Sequence, residues 1–183
     1  MPFGNVQRAY RIGAEIFGED GVIVHDREYM ENPEKWPDKG KYASAHPPML
    51  MGRAYRELRQ HLPWKPLAAF ASERCENDVS PQLMQETHIN PDGSVMAWNC
   101  SGLLIGDLTK TALTRIFRGD DWRSNEILRT LAEKGPVGLL EMAPEFQPKE
   151  TYVQKCELCW EVRSHLAGRF PDTLGPAEGY SGM

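Results

Sequence analysis

No apolar run in this chain approaches the ~20 residues that a membrane-spanning helix needs, and the opening Met-Pro-Phe-Gly-Asn-Val-Gln-Arg lacks the apolar core of a secretory leader. No block of like charge reaches five residues, and the net charge is −5. A large nucleic-acid footprint and a basic membrane anchor are therefore not expected. The sequence has no internal repeat, no low-complexity tract, no phosphate-binding loop, no Gly-x-Ser-x-Gly elbow and no His-Glu-x-x-His helix. Scattered carboxylates make no catalytic pair: Glu141 and Glu145 are four apart, but Pro144 interrupts any shared helix face. What these absences leave is a cytoplasmic chain of 183 residues, long enough for one compact domain or a domain with an appendage.

Cysteine is scarce as well, but its four positions are informative. They read C-x24-C-x55-C-x2-C, with Cys75 and Cys100 flanking a β-hairpin signal and Cys156 and Cys159 forming a tight pair. Two cysteines three positions apart on a turn or a first helical turn aim both thiolates at one point, and two more complete a tetrahedral sulfur shell. In a reducing compartment such a set points to a metal more than to disulfides. Zinc and an iron-sulfur cluster both suit the shell. A dithiol redox pair usually follows a strand in a βαβ unit; here residues 149–155 offer only a short extended piece.

The element pattern is α+β: mostly helices, with a few short strands. Val6 to Phe17 has helical spacing and Val22-Ile23-Val24-His25 reads as a short buried strand. The Pro- and charge-rich stretch 26–48 reads as a long loop, and 49–62 as a helix stopped by Pro63-Trp64-Lys65-Pro66. Residues 85–89 and 94–99 form a hairpin around Asn90-Pro91-Asp92-Gly93. Helices are expected over 109–117, 122–134 and 137–142, the middle one closed by Gly135-Pro136, and a last one over 160–166 precedes a Pro- and Gly-rich tail. Gly102 and Gly106 serve as turn residues or bring backbone amides near sulfur.

Three pieces in order, the Asn-Pro-Asp-Gly hairpin, then Cys100-Ser101-Gly102-Leu103-Leu104-Ile105-Gly106-Asp107, then Lys155-Cys156-Glu157-Leu158-Cys159-Trp160-Glu161-Val162-Arg163, resemble the C-terminal part of radical S-adenosylmethionine proteins with an auxiliary iron-sulfur domain of the SPASM or twitch kind. The stretch from Ile127 to Gly138, ending Gly-Pro-Val-Gly, is similar as well. The resemblance is strongest from about Cys75 to Tyr180 and implies two parts. Residues 1–71 would be αβ units, the remnant of a partial α/β barrel. Residues 72–183 would be a hairpin-and-helix domain holding an auxiliary 4Fe-4S cluster on Cys75, Cys100, Cys156 and Cys159, for electron transfer or structural support.

The C-x3-C-x2-C loop that such enzymes need for reductive cleavage of S-adenosylmethionine is absent from these residues. The expectation is therefore a fragment, a separately encoded partner of a catalytic core, or a decayed relative, with no autonomous activity; S-adenosylmethionine would belong only to the complete enzyme. The competing expectation is a zinc-braced four-cysteine binding module, with His88 and His165 as secondary ligand candidates. Trp98 and Trp160 are placed to shield a cluster and Lys155 to stabilise thiolates.

Overall fold

The computed structural model describes Arg11, Glu15 and residues 59–84, 86–97, 100–176 and 180. The chain divides into two compact units, residues 1–48 and 49–183. In the first, Arg11 and Glu15 lie in helical backbone on exposed positions. The strand expected at 22–25, the loop at 26–48 and most of the helix expected at 49–62 lie outside the described residues.

In the second unit the elements run β1 (Lys65–Pro66), α1 (Glu76–Val79), β2 (Thr87–Ile89), β3 (Ser94–Ala97), β4 (Leu104–Asp107), α2 (Leu113–Arg118), α3 (Glu126–Gly138), β5 (Thr151–Tyr152) and α4 (Lys155–Leu166). The class is α+β. Among the described residues every strand pairs antiparallel: β1 with β5, and β2, β3 and β4 in order as one three-stranded sheet.

The hairpin forms where the turn residues place it. The Gly93 N–H donates to the Asn90 carbonyl at 2.9 Å, Gly93 has φ +88°, and Asp92 accepts from the backbone and hydroxyl of Ser94. Thr87 then faces Ala97, and Ile89 faces Val95. Strand β4 extends the sheet beyond that hairpin, and Gly106 is what lets it seat: a Cβ there would lie 2.5 Å from Ile116 Cδ1, so its absence admits α2 onto the sheet.

Helix α3 starts on Asn125, whose side chain accepts from the Leu128 N–H at 3.2 Å. Ile127, Leu128, Leu131, Ala132 and Gly135 recur at helical spacing and form its buried face. The expected stop at Gly135-Pro136 is a kink instead. Gly135 adopts φ +68° and ψ −167°, the helical direction resumes through Gly138, and a 3-10 turn over Leu139–Met142 follows. The kink exists because another backbone presses there: a Cβ on Gly135 would fall 1.8 Å from the Glu73 carbonyl oxygen.

Helix α4 turns Leu158, Cys159, Val162, Arg163 and Leu166 inward, against a core that includes Phe70, Val95, Leu103, Ile127, Leu131, Tyr152 and Leu174. No helix among the described residues is long and apolar enough to cross a membrane.

Gly135→Ala meets both a left-handed φ and a carbonyl at bonding distance, so a loss of about 3 kcal/mol is expected in urea denaturation. Gly168→Ala, where an added Cβ has nothing within 4 Å, should leave the midpoint nearly unchanged. Equal midpoints for the two variants would contradict the packing described.

Candidate functional site

Three segments far apart in sequence bring the four cysteines to one region. Cys75 sits at the entry to α1. Its N–H donates to the Leu131 carbonyl of α3 at 3.1 Å, and its own carbonyl accepts from the N–H groups of Asp78 and Val79, each at 3.0 Å. The approach is fixed by Arg74, which donates to the carbonyls of Ala71 and Lys134. Thus the close passage of Glu73 over Gly135 and the hydrogen bond to Leu131 together seat Cys75 against α3.

Cys100 lies in the connection from β3 to β4. Its N–H donates to the Ala97 carbonyl at 3.2 Å and its carbonyl accepts from the Leu103 N–H at 2.9 Å. Gly102, at φ +75°, occupies the third position of that turn, where a left-handed backbone is required. Of its two expected roles, Gly102 fills the turn role, whereas Gly106 is a strand residue.

Cys156 and Cys159 are the second and fifth residues of α4. No side chain caps the helix at Gln154; instead Glu157 reaches back to accept from the Val153 N–H at 2.8 Å. Glu157 is fully buried and lies 3.2 Å from Arg59 and 3.7 Å from Lys149. This end of α4 is therefore held by a desolvated carboxylate between two cations.

Two basic residues tie α4 to the other cysteine segments. The Lys155 ammonium donates to the Arg74 carbonyl at 2.8 Å and lies 3.9 Å from Asp78. Arg163 donates through Nη1 to the Ser101 carbonyl at 3.0 Å and to the Tyr180 hydroxyl at 3.1 Å, while that hydroxyl donates to the Gly102 carbonyl at 2.6 Å. Tyr180 also packs on Trp160, with ring centroids 4.9 Å apart. Lys155 thus reaches the Cys75 segment and Arg163 the Cys100 turn.

All four cysteines are free thiols, Cys75 and Cys159 buried and Cys100 and Cys156 partly so. They lie within electrostatic reach of one another. Burial, with the neighbouring Cys159, raises the Cys75 thiol well above its usual range against the pull of Lys155. Burial pushes Cys100 up to about 12, opposed by Arg163, and it pushes Cys156 up to about 12 with Cys159 adding to the effect. At neutral pH these three are protonated, so they are poor nucleophiles until something displaces the proton.

Among the described residues no group of three or more His, Cys, Asp and Glu side chains is arranged to hold a metal ion. The thiols lie near one another without forming such a group. Arg163 is only 1 % exposed and has no carboxylate partner among the described residues; its Nε and the Trp160 Nε1 are buried without a hydrogen-bond acceptor.

His88 is exposed on β2, and His165 is paired with Glu145 at 2.8 Å. Trp98 lies outside the described residues. Sequence reasoning missed Arg163, Glu157 and Tyr180. Arg163 had a signal: it stands four residues after Cys159 and seven after Cys156, on their helical face. Tyr180, in the Pro- and Gly-rich tail, had none. No family model, curated protein or solved structure matches this chain.

Glu157→Ala removes the buried carboxylate between Arg59 and Lys149, the latter keeping Glu161, and frees the Val153 N–H. A loss of about 3 kcal/mol in urea denaturation is expected, with the thiol count by Ellman titration under denaturing conditions unchanged. An unaltered unfolding midpoint would show that the carboxylate does not anchor α4.

Proposed function

We propose that this chain binds an iron-sulfur cluster, of the 4Fe-4S type, on the thiolates of Cys75, Cys100, Cys156 and Cys159, and serves as the auxiliary-cluster part of a radical S-adenosylmethionine system. The observation that carries the cluster reading is the gathering of four thiols from three separate segments beside Arg163, a buried cation with no carboxylate partner among the described residues. The wider context is supported by the sequence motifs alone. In that context, a missing N-terminal core or a separate catalytic partner supplies the C-x3-C-x2-C loop and the S-adenosylmethionine.

A cluster ligated by four cysteines supplies one-electron transfer or cross-links its ligand segments, and it keeps no iron open to substrate. The protein residues supply the rest. Cys156 and Cys159, the second and fifth residues of α4, benefit from the positive end of that helix once deprotonated. Trp160 and Tyr180 cover the side of the pocket next to Arg163 and limit access of water. Lys155, tied to the Arg74 carbonyl, keeps a positive charge close to Cys75 and Cys156.

Zinc is the alternative occupant of four thiols, and it makes a stricter demand. A tetrahedral zinc lies about 2.3 Å from each sulfur, which brings every pair of sulfurs within about 4 Å.

Anaerobic purification should yield about four irons and four sulfides per chain with broad visible absorption near the blue edge, and Cys156→Ala or Cys100→Ala should lose both. One zinc without sulfide would replace the cluster by a structural ion, and no metal after anaerobic reconstitution would remove both readings.

A further inference from the structure

The turn that carries Cys100 is met by a side chain from far along the sequence. Gly102 in that turn has φ +75°, and a Cβ on it would lie 2.8 Å from both Cζ and Oη of Tyr180, so the space left by the missing side chain seats the tyrosine ring. The Tyr180 hydroxyl donates to the Gly102 carbonyl at 2.6 Å and accepts from Arg163 Nη1 at 3.1 Å, and the ring packs on Trp160 with centroids 4.9 Å apart. One side chain therefore joins the 100–103 turn to α4. Tyr180, Trp160 and Arg163 are all buried as a result of this packing.

The closed arrangement leaves two donors unsatisfied. Trp160 Nε1 and Arg163 Nε are buried without an acceptor, and a buried N–H without a partner has lost its hydration for nothing. Withdrawing Tyr180 strands few polar groups in return. The Gly102 carbonyl also accepts from the Gly175 N–H at 3.1 Å, and Arg163 Nη1 also donates to the Ser101 carbonyl at 3.0 Å, so each partner of the hydroxyl keeps a second bond. The ring is held by its contact with Trp160 and by two hydrogen bonds, and its release is favoured by water reaching the two orphaned N–H groups. Opposed effects of similar size describe a contact that opens locally, at a free energy below that of global unfolding.

We propose that Tyr180 is a releasable clasp: closed, it locks the Cys100 turn against α4 and keeps water from Trp160 and Arg163; open, it exposes that turn and the adjoining face of α4 while the core stays folded. The clasp stands on hydrogen bonds, packing and orphaned donors, and it does not depend on what the cysteines bind.

Indole N–H exchange in the full chain, followed by NMR with Trp160→Phe to assign the signal, reads this opening, because burial alone protects Trp160 Nε1. The Cys75 N–H, bonded to the Leu131 carbonyl of α3, is the reference for global unfolding. In low urea the expected result is a Trp160 exchange rate that does not change with urea, while the Cys75 rate rises with it. Tyr180→Ala with native circular dichroism should exchange the Trp160 indole at least about tenfold faster than the native chain, still without urea dependence. An unchanged Trp160 rate in that folded variant overturns the clasp. If Tyr180→Ala does not fold, the native chain decides: a Trp160 rate independent of urea supports the clasp, and one that rises in step with the Cys75 amide overturns it.

Discussion

The bond from Arg163 to the Ser101 carbonyl joins α4 to the turn that carries Cys100, and the geometry of the cysteine region follows from where α4 is held. The same helix presents Cys156 and Cys159 as its second and fifth residues, ties its N-terminal end to the Cys75 approach through Lys155 and Arg74, and fixes its entry through Glu157. Its apolar positions face the core from the same side. A helix fixed at both ends by polar contacts and along its length by Leu158, Val162 and Leu166 has little freedom to rotate. Because a rotation of one residue would swing a thiol through about 100°, these constraints together define where the cysteines point.

The second support lies in α3. Its kink is the meeting of two backbones, with the Glu73 carbonyl filling the space that a side chain on Gly135 would take. The Leu131 carbonyl, one turn earlier, receives the Cys75 N–H. A continuous helix would not leave room for the Cys75 approach, so the Gly-Pro pair helps to place Cys75 although it lies sixty residues from that cysteine in sequence. The pair thus positions a residue in an earlier segment, in addition to redirecting its own helix.

These dependencies explain what was legible in the sequence. The hairpin was readable because Asn90-Pro91-Asp92-Gly93 determines its own turn through local hydrogen bonds. The α+β class and the break at Gly135-Pro136 were readable for similar reasons, since helical periodicity and backbone freedom are local properties. Strand β4 was not: Leu104-Ile105-Gly106-Asp107 has no alternating pattern, and Gly106 owes its place to Ile116 on another element. Strand β1 was hidden and β5 was visible only as a short extended piece within 149–155, because their pairing is defined by each other rather than by their own composition. Within the site, cysteine spacing named four thiols, but it gave no sign of the buried Glu157 or of Tyr180, whose roles depend on partners far away along the chain.

The electrostatics of the pocket distinguish the two states it can adopt. With the thiols protonated, the four sulfurs are neutral and, among the described residues, Arg163 is buried with no carboxylate paired to it, whereas Lys155 is partly exposed and faces Asp78. That arrangement is costly for a small domain whose total stability is on the order of 10 kcal/mol. With the soft metal group proposed above, deprotonation would reverse the situation, because the cation would then meet an anionic partner in a medium that screens little. A buried thiol raised far above neutrality resists ionisation alone, and Cys75, Cys100 and Cys156 are all of this kind. The burial that keeps Cys75, Cys100 and Cys156 protonated and poor as nucleophiles leaves the proposed ligand role dependent on a metal group that displaces those protons.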